Sequence, residues 1–246
     1  MDVALPWLAP GDPFPTPESA WGLDTPAPGL LAAGGSLDTE TLCRAYAQGT
    51  FPRLGNGQPI LWWAPDPRMV LQVSQFKLHP SLRKTLKKFH KSPECSVTVD
   101  KAFSRVIRTC ATQSRKGQNG TWIVPSMVEA YEQLHALGVA HSVETWVDDK
   151  LVGGLYFVAL GKAVFGESMF AHATDASKIA LAALVCIAKA QGVPWIDCQQ
   201  NTRHLASLGA AEIPRKTFVA DIQALSSEPD PLWVFESIYW SQLLSR

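Results

Sequence analysis

Two polar side chains close a short apolar run near the end of the chain. The run Trp195-Ile196-Asp197-Cys198-Gln199 is typical of a buried strand, and in it Asp197 and Gln199 are two residues apart. On a regular strand such residues point to the same face. A carboxylate and a carboxamide in apolar surroundings cost free energy unless they are hydrogen-bonded or used, and strand ends in α/β folds are where binding sites form. The pair therefore indicates a site; the alternative is that both side chains only hold loop backbone.

Composition and charge limit the classes of protein to which the chain can belong. Its 246 residues are enough for one large domain or two unequal ones. The 22 basic and 22 acidic residues give zero net charge, so nucleic-acid binding must come from a local patch. Five cysteines without a Cys-x-x-Cys pair indicate reduced thiols in a cytoplasmic protein. Neither a signal peptide nor a membrane span is evident, and we expect no membrane partner.

The hydrophobic pattern and turn residues along the chain predict the elements that position this pair, and together these elements indicate a mixed α/β fold with a small N-terminal part. Residues 1–35, rich in Pro and Gly, predict an irregular arm, a helix follows over residues 38–48, and prolines then mark a turn-rich connection. We therefore predict a small N-terminal domain over residues 1–70 and a larger domain over residues 71–246.

The larger domain combines helical and strand periods. Residues 80–90, 101–111 and 125–137 predict helices, and residues 141–147, 151–160 and 163–170 predict an antiparallel meander. A long helix over residues 175–191 and the strand at Trp195 complete the order β-β-β-α-β-α, which resembles the acetyltransferase-like (GNAT) fold. Enzymes of that fold that use coenzyme A need a glycine-rich phosphate loop before the long helix. Residues 170–175 contain no glycine and end in Asp175, so coenzyme A is not expected.

Several motifs together resemble one family, the leucyl/phenylalanyl-tRNA–protein transferases. The resemblance runs from about Phe14 to Phe218, and the number, order and spacing of the motifs carry it. The matching stretches are Gly29-Leu-Leu-Ala-Ala-Gly-Gly-Ser-Leu37, Pro59-Ile-Leu-Trp-Trp-Ala-Pro-Asp-Pro-Arg68, Gly120-Thr-Trp-Ile123, His141-Ser-Val-Glu144, Gly166-Glu-Ser-Met-Phe170, Asp175-Ala-Ser-Lys178, Ile196-Asp-Cys-Gln199, His204-Leu-Ala-Ser-Leu-Gly209 and Glu212-Ile-Pro-Arg215.

The resemblance implies an enzyme that moves Leu or Phe, and Met less well, from aminoacyl-tRNA to the N-terminal Arg or Lys of acceptor proteins. The product is marked for degradation. Aminolysis of an aminoacyl ester is favourable, so no ATP, metal or coenzyme A is expected, and the enzyme is expected to act as a monomer. The resemblance also implies a small N-terminal domain on an acetyltransferase-like domain.

The same resemblance implies roles for three polar residues. Gln199 would accept a hydrogen bond from the attacking nitrogen, while Asp197 would polarise Gln199, stabilise the positive amine or take its proton through water. A 2′-hydroxyl of the tRNA is an alternative proton carrier. Glu167, an acid in an apolar strand, needs a cationic partner; we expect the acceptor's basic side chain or ammonium, and the alternative is a structural pair with Lys178.

A pocket for the transferred amino acid and the end of the tRNA is expected beside these residues. Met169 and Leu155 suit an apolar guest, and aromatic rings can stack on the terminal adenosine or line the pocket. For any one apolar residue, ordinary core packing is the alternative. The residues assigned to substrate binding are Leu155, Ser168, Met169, Phe170, Trp122, Tyr131 and Glu167.

Basic residues are concentrated on the predicted helix at residues 80–90. No acid occurs between Pro67 and Pro93, and Leu82, Leu86 and Phe89 would form the inner face of that helix. The outer face predicts binding to the phosphates of a tRNA acceptor stem; the alternative is an ordinary solvated surface. The residues assigned to tRNA binding are Arg83, Lys84, Lys87 and Lys88.

One position departs from the family pattern. The chain has Gly49-Thr-Phe-Pro-Arg-Leu54 where the family usually has Gly-Ile-Phe-Pro-Trp-Phe, so Arg53 replaces an aromatic residue. Arginine can stack on a base or bind phosphate, so transfer is still expected. Two other functions stay open: a non-catalytic reader of basic N-termini or of tRNA, and a CoA-dependent N-acetyltransferase, which the missing phosphate loop disfavours.

Overall fold

A computed structural model describes residues 4–55, 57–113 and 123–245. The described residues form two sheets and eight helices of a mixed α/β fold. The first sheet contains β1 (Trp7–Leu8), β2 (Leu30–Gly34), β3 (Phe51–Arg53) and β4 (Leu61–Trp63). The second contains β5 (Arg68–Gln72), β6 (Cys95–Val99), β7 (Ala140–Val147), β8 (Lys150–Leu160), β9 (Ala163–Ala171), β10 (Trp195–Gln199) and β11 (Ala211–Ile213). The helices are α1 (Thr39–Ala47), α2 (Pro80–Lys91), α3 (Phe103–Thr112), α4 (Pro125–Ala136), α5 (Ala176–Ala190), α6 (Arg203–Ser207), α7 (Arg215–Leu225) and α8 (Ile238–Leu244).

The four-stranded sheet, in the order β1-β2-β4-β3, was not predicted. Both the supposedly irregular arm and the turn-rich connection contribute two strands to it. These strands are two to five residues long and every residue of β2 is buried, so no polar alternation marks them. Trp62 of β4 is fully buried, and its indole N–H donates to the Gly34 carbonyl at 2.9 Å. The division at residue 70 stays a prediction, and β5 crosses it.

The seven-stranded sheet has the order β11-β5-β10-β9-β8-β7-β6. Strands β7, β8 and β9 form the predicted antiparallel meander, and α5 connects β9 to its parallel neighbour β10. This mixed sheet and element order confirm the acetyltransferase-like arrangement expected from the sequence. Helix α5 lies very close to β8, because a Cβ at Gly153 would be 2.5 Å from the Cβ of Ala176.

Two apolar cores lie on opposite faces of the large sheet. One holds residues of α1, α3, α4, α7 and the small sheet, including Tyr46, Tyr131 and Phe165. The other holds residues of α2, α5 and α8, including Leu184 and Trp240. The aromatic residues of the C-terminal tail pack on the second core. None of the described helices is both long and apolar enough to cross a membrane.

Helices α1 and α5 begin in different ways. The Asp38 carboxylate accepts a hydrogen bond from the Thr41 backbone N–H at 2.8 Å and caps α1. Asp175 precedes α5 but adopts a left-handed conformation with φ of 63° and makes no side-chain cap. Its carboxylate instead accepts hydrogen bonds from Lys178 at 2.8 Å and from Thr85 of α2 at 3.1 Å. Those contacts join α2 to the start of α5.

Candidate active site

A cavity of about 400 Å³ opens where β9 and β10 separate. The two strands pair only through Ile196 with Val164 and Asp197 with Phe165, so the sheet opens beyond these residues. The lining has an apolar part, which we refer to as the floor, and a polar part, a combination typical of small-molecule sites. The floor contains Leu155, Met169, Leu181, Leu184 and Ile196. The polar part contains Arg53, Glu167, Ser168, Gln199, Gln200, Thr202 and His204.

A β-bulge in β9 sets which side chains reach this cavity. Ser168 pairs with Tyr156 and Gly166 with Phe157, so Glu167 is the extra residue of the bulge. Met169 lies in the cavity as predicted from its sequence context, whereas Phe170 lies in the core on the other face of the sheet. The assignment of Phe170 to the pocket is therefore corrected, because adjacent residues of a strand point to opposite faces.

Glu167 is held by side chains from three other elements. Its Oε1 accepts hydrogen bonds from the Tyr46 hydroxyl at 2.7 Å and from the Gln199 amide at 3.0 Å, and its Oε2 is 3.4 Å from the Tyr131 hydroxyl. Burial raises the pKa of Glu167 to about 8, and the hydrogen bond from Tyr46 opposes that rise. Lys178 pairs with Asp175 instead, so the alternative of a structural Glu167–Lys178 pair is wrong.

Tyr131 has a different place from the one expected. It is fully buried on the inner face of α4, and its hydroxyl is hydrogen-bonded to that of Tyr46 behind Glu167. It is therefore not positioned to stack on an adenosine, and it supports Glu167 instead. Burial, reinforced by the charge of Glu167, raises the pKa of both tyrosines, so both keep their hydroxyl protons. Trp122, the other predicted stacking residue, lies outside the described residues.

Asp197 forms a buried ion pair. The Arg68 guanidinium donates to Asp197 Oδ1 at 2.8 Å and to Oδ2 at 2.6 Å, and both side chains are essentially inaccessible to solvent. Arg68 also donates to the Gly49 carbonyl at 2.9 Å and lies between the rings of Phe51 and Phe218. Arg68 belongs to the acid-free basic segment of the sequence, but it is not available to RNA.

The expected common face of Asp197 and Gln199 does not form. The pairing of β10 with β5 shifts register between these two residues, and Gln199 has a φ of 62°. The Asp197 side chain consequently points to Arg68, while the Gln199 side chain points to Glu167. Asp197 Oδ1 also accepts the backbone N–H of Gln199 at 2.8 Å. Asp197 therefore holds the backbone that presents Gln199 to the cavity.

The Gln199 carboxamide uses its nitrogen in a hydrogen bond, while its oxygen can still accept one. Its Nε2 donates to Glu167, which assigns the amide orientation. Within the part of the chain that the structure describes, no donor is hydrogen-bonded to Gln199 Oε1. That oxygen can accept an N–H from a nitrogen bound in the cavity, which is the role that the family resemblance implies toward an attacking amine.

Several residues of the cavity were not predicted from the sequence. Leu181 and Leu184 belong to a helix that is apolar on almost every side, so no pattern separates them from core residues. Arg53 stood out in the sequence only because it departs from the family pattern. In the structure its guanidinium donates to the Gln200 side-chain oxygen at 3.2 Å in the polar part of the cavity. His204 occurs in one of the motifs quoted above, which was the available signal.

Helix α2 carries the predicted basic surface. Leu82, Leu86 and Phe89 are buried as predicted. Arg83 is only half-exposed and donates to the Leu244 carbonyl at 2.9 Å, so it holds the C-terminal helix rather than standing free. The other three residues assigned to tRNA binding are exposed lysines, and we refer to them as the basic face: Lys84, Lys87 and Lys88.

The basic face is linked to the mouth of the cavity. Thr85 of α2 donates to Asp175, and Asp175 is paired with Lys178. Burial and the charge of Lys178 lower the pKa of His204, which lines the cavity. The cationic side chain of Lys178 therefore lies between α2 and the polar end of the cavity.

Comparisons with known proteins agree with the motifs. The sequence model of the leucyl/phenylalanyl-tRNA protein transferases matches residues 70–223, and that of their N-terminal domain matches residues 35–66. The leucyl/phenylalanyl-tRNA–protein transferase of Polaromonas sp. is 61% identical over 241 residues, which cover 98% of this chain and 94% of that protein. The enzyme of the same name from Albidiferax ferrireducens is 58% identical, covering 98% and 95%.

A GCN5-related N-acetyltransferase from Kribbella flavida has a TM-score of 0.32 and 10% identity, covering 68% of this chain and 58% of that one. The relatives, in contrast, match nearly the whole chain at more than half of its positions. The chain therefore belongs to the leucyl/phenylalanyl-tRNA–protein transferase family, and it is a transferase whose substrates are aminoacyl-tRNA and protein.

Proposed function

We propose that the protein transfers Leu or Phe, and Met less well, from aminoacyl-tRNA to the N-terminal Arg or Lys of acceptor proteins, which marks them for degradation. One observation carries the proposal: the apolar floor of the cavity meets Gln199 and Glu167 at its polar end. An aminoacyl side chain on that floor brings its ester carbonyl next to groups that can hold an amine.

The floor supports selection of an apolar donor. Two leucines of α5, one of β8 and Met169 offer no polar partner, so a polar side chain would lose its hydrogen bonds with water there. Discrimination among apolar side chains is weaker, since one methylene is worth only about 1–3 kcal/mol in such a pocket. Met is therefore expected as a poorer donor rather than an excluded one.

Glu167 supports selection of a cationic acceptor. The Glu167 carboxylate lies at the cavity and is not paired with a cation of the described residues, whereas the Asp197 carboxylate is paired with Arg68. A cation that binds beside Glu167 favours the charged carboxylate and lowers its raised pKa. An ammonium or guanidinium bound there makes a charge-assisted hydrogen bond, which is stronger than a neutral one.

The basic face supports binding of the tRNA through its phosphates. Its lysines are exposed, α2 contains no acid, and the contacts through Asp175 and Lys178 lead to the cavity mouth. Such contacts recognise charge and helix shape rather than sequence. We expect the reaction to occur in the cytoplasm, where aminoacyl-tRNA is present.

The reaction is expected to need no ATP, metal ion or coenzyme A, because the ester bond of the donor already makes transfer favourable. The turn before α5 also supports the absence of coenzyme A. It holds Asp175 at the helix entrance instead of a glycine, and that carboxylate would repel a pyrophosphate.

The decisive experiment uses purified protein, labelled aminoacyl-tRNA and short peptides. Leu-tRNA and Phe-tRNA should label peptides that begin with Arg or Lys, without ATP and in the presence of EDTA. Met-tRNA should label them more slowly. Matched controls are the same peptides with an acetylated α-amine or with Glu in the first position, which should stay unlabelled.

Labelling of the Glu peptide at the rate of the Arg peptide would refute the cationic specificity. No labelling with any donor would refute transfer and favour a non-catalytic reader. Acetylation of the peptides from acetyl-CoA would instead support the acetyltransferase alternative.

A further inference from the structure

Asp197 is poorly placed to take a proton from the acceptor. Its two carboxylate oxygens accept hydrogen bonds from Arg68 at 2.8 and 2.6 Å, and Oδ1 also accepts the Gln199 backbone N–H. Protonation of Asp197 would leave the buried Arg68 charge without its partner, which is costly in a protein interior. The proton that an incoming ammonium must lose therefore needs another acceptor.

Glu167 has the geometry that Asp197 lacks. Its Oε1 accepts two hydrogen bonds, from Tyr46 and from Gln199, at 2.7 and 3.0 Å. Its Oε2 is approached, among the described residues, only by the Tyr131 hydroxyl at the long distance of 3.4 Å. Oε2 thus keeps the capacity to accept a proton. A nitrogen hydrogen-bonded to Gln199 Oε1 lies beside this carboxylate, because the same amide group binds Glu167.

We propose that Glu167 is the general base of the reaction, and that Tyr46 and Gln199 are positioning residues that hold its carboxylate. This inference rests on the proposed transfer reaction. Glu167 takes one N–H proton from the α-ammonium, and the neutral nitrogen attacks the ester carbonyl carbon to form the C–N bond. The C–O bond to the ribose breaks, and the ribose oxygen takes a second N–H proton. Glu167 then loses its proton to solvent.

The charges around Glu167 suit this role. Burial and the Asp197 charge raise its pKa to about 8, while the Tyr46 hydrogen bond and the charges of Arg53 and Arg68 oppose the rise. An α-amino group has a pKa of about 7.7–8.0. Proton transfer between groups of similar pKa has little free-energy cost, and efficient general bases have a pKa near the working pH. Tyr131, which completes the surroundings, is neutral.

The first test separates proton transfer from binding of the basic side chain. Glu167→Gln keeps the shape of the side chain but cannot accept the proton. The acceptors are an Arg-initiated peptide and the same peptide with an alkoxyamine in place of its α-amine, a nucleophile that is already neutral at pH 7. We expect kcat/KM to fall about 10²–10⁴-fold with the amine and less than about 10-fold with the alkoxyamine.

An equal loss with both acceptors would overturn the proposal and leave Glu167 as a binding residue for the side chain. Activity of Glu167→Gln with the amine within a few-fold of wild type would overturn it as well. Failure of the wild-type protein to transfer at all would instead refute the proposed function. Thermal melting and tRNA binding of Glu167→Gln should match the wild type at pH 7 or exceed it, which controls for misfolding.

A second test uses the two tyrosines as a matched pair. Tyr46→Phe removes a hydrogen bond that favours the carboxylate, so the pKa of Glu167 should rise and the acidic limb of the kcat/KM profile should move to higher pH. Tyr131→Phe removes the long 3.4 Å contact with the carboxylate and the hydrogen bond to the Tyr46 hydroxyl, but it keeps the hydrogen bond from Tyr46 to Glu167, so it should move the limb less. An acidic limb that stays in place in Tyr46→Phe, or moves to lower pH, would contradict the proposal.

Discussion

The buried pair between Arg68 and Asp197 should be a major contributor to the stability of the protein. In Asp197→Ala the guanidinium keeps its place between two aromatic rings but loses the charge that compensates it. Removing one partner of a buried ion pair costs about 3–5 kcal/mol. For a chain of this size that corresponds to a fall in Tm of roughly 6–20 °C. Transfer and tRNA binding should then decline together as the folded fraction declines.

The chain offers a matched control for this measurement. Arg108 and Glu132 form a pair at 3.0 Å that is largely exposed, with 63% and 24% of the side chains accessible. Exposed pairs contribute about 0–1 kcal/mol, so Arg108→Ala should change Tm by only a few degrees. The difference between the two variants measures the effect of burial on pairs of the same chemical type.

Guanidinium unfolding followed by fluorescence of the nine tryptophans gives the free energies. The double variant Arg68→Met with Asp197→Leu removes both charges, and it should recover part of the stability lost in Asp197→Ala. An Asp197→Ala protein that unfolds at the wild-type midpoint would refute this reasoning. That result would mean that the fold does not depend on Asp197, and it would favour the expected role of Asp197 in polarising Gln199.

Three further predictions concern the tRNA surface, the pocket and pH. Replacing the basic face by alanines should weaken tRNA binding and flatten the plot of log K against log salt, by up to about 0.7–0.9 per lost phosphate contact; Lys150→Ala, at the exposed start of β8, should leave the slope unchanged. Leu184→Ala should enlarge the floor and shift the kcat/KM ratio of donors toward Phe by about 10-fold or more, measured with competing Leu-tRNA and Phe-tRNA. Glu167 has a folded pKa raised from 4.5 to about 8, so the folded state binds a proton that the unfolded state releases in this range. The free energy of unfolding should therefore fall as pH rises from 5 to 8, by up to about 1.4 kcal/mol per unit, and Glu167→Gln should remove that slope.

Elements with a long, consistent period were predictable from the sequence alone. The meander, α5 and the strand after it were placed within one or two residues, because each has a strong hydrophobic pattern and clear turn residues at its ends. The four-stranded sheet was missed because strands of two to five residues are too short to show a period. The core face of α2 was also predictable, since helical spacing determines which residues turn inward.

The sequence by itself determined the family, the general fold and the chemical types at the site, because these depend on motifs and periodicity along the chain. Only the tertiary structure decided which side chains the site residues contact. Arg68 and Asp197 are 129 residues apart in the chain, and Tyr46 and Glu167 are 121 apart. No local sequence pattern predicts contacts over such separations. Nor does one predict the register shift that turns the Asp197 side chain away from that of Gln199, or the bulge in β9 that places Glu167 beside Gln199. Asp197, the carboxylate that the sequence predicts to be catalytic, is therefore paired with Arg68 in the folded protein. Glu167 of the neighbouring strand β9 is the carboxylate that lies at the cavity with an oxygen still able to accept a proton.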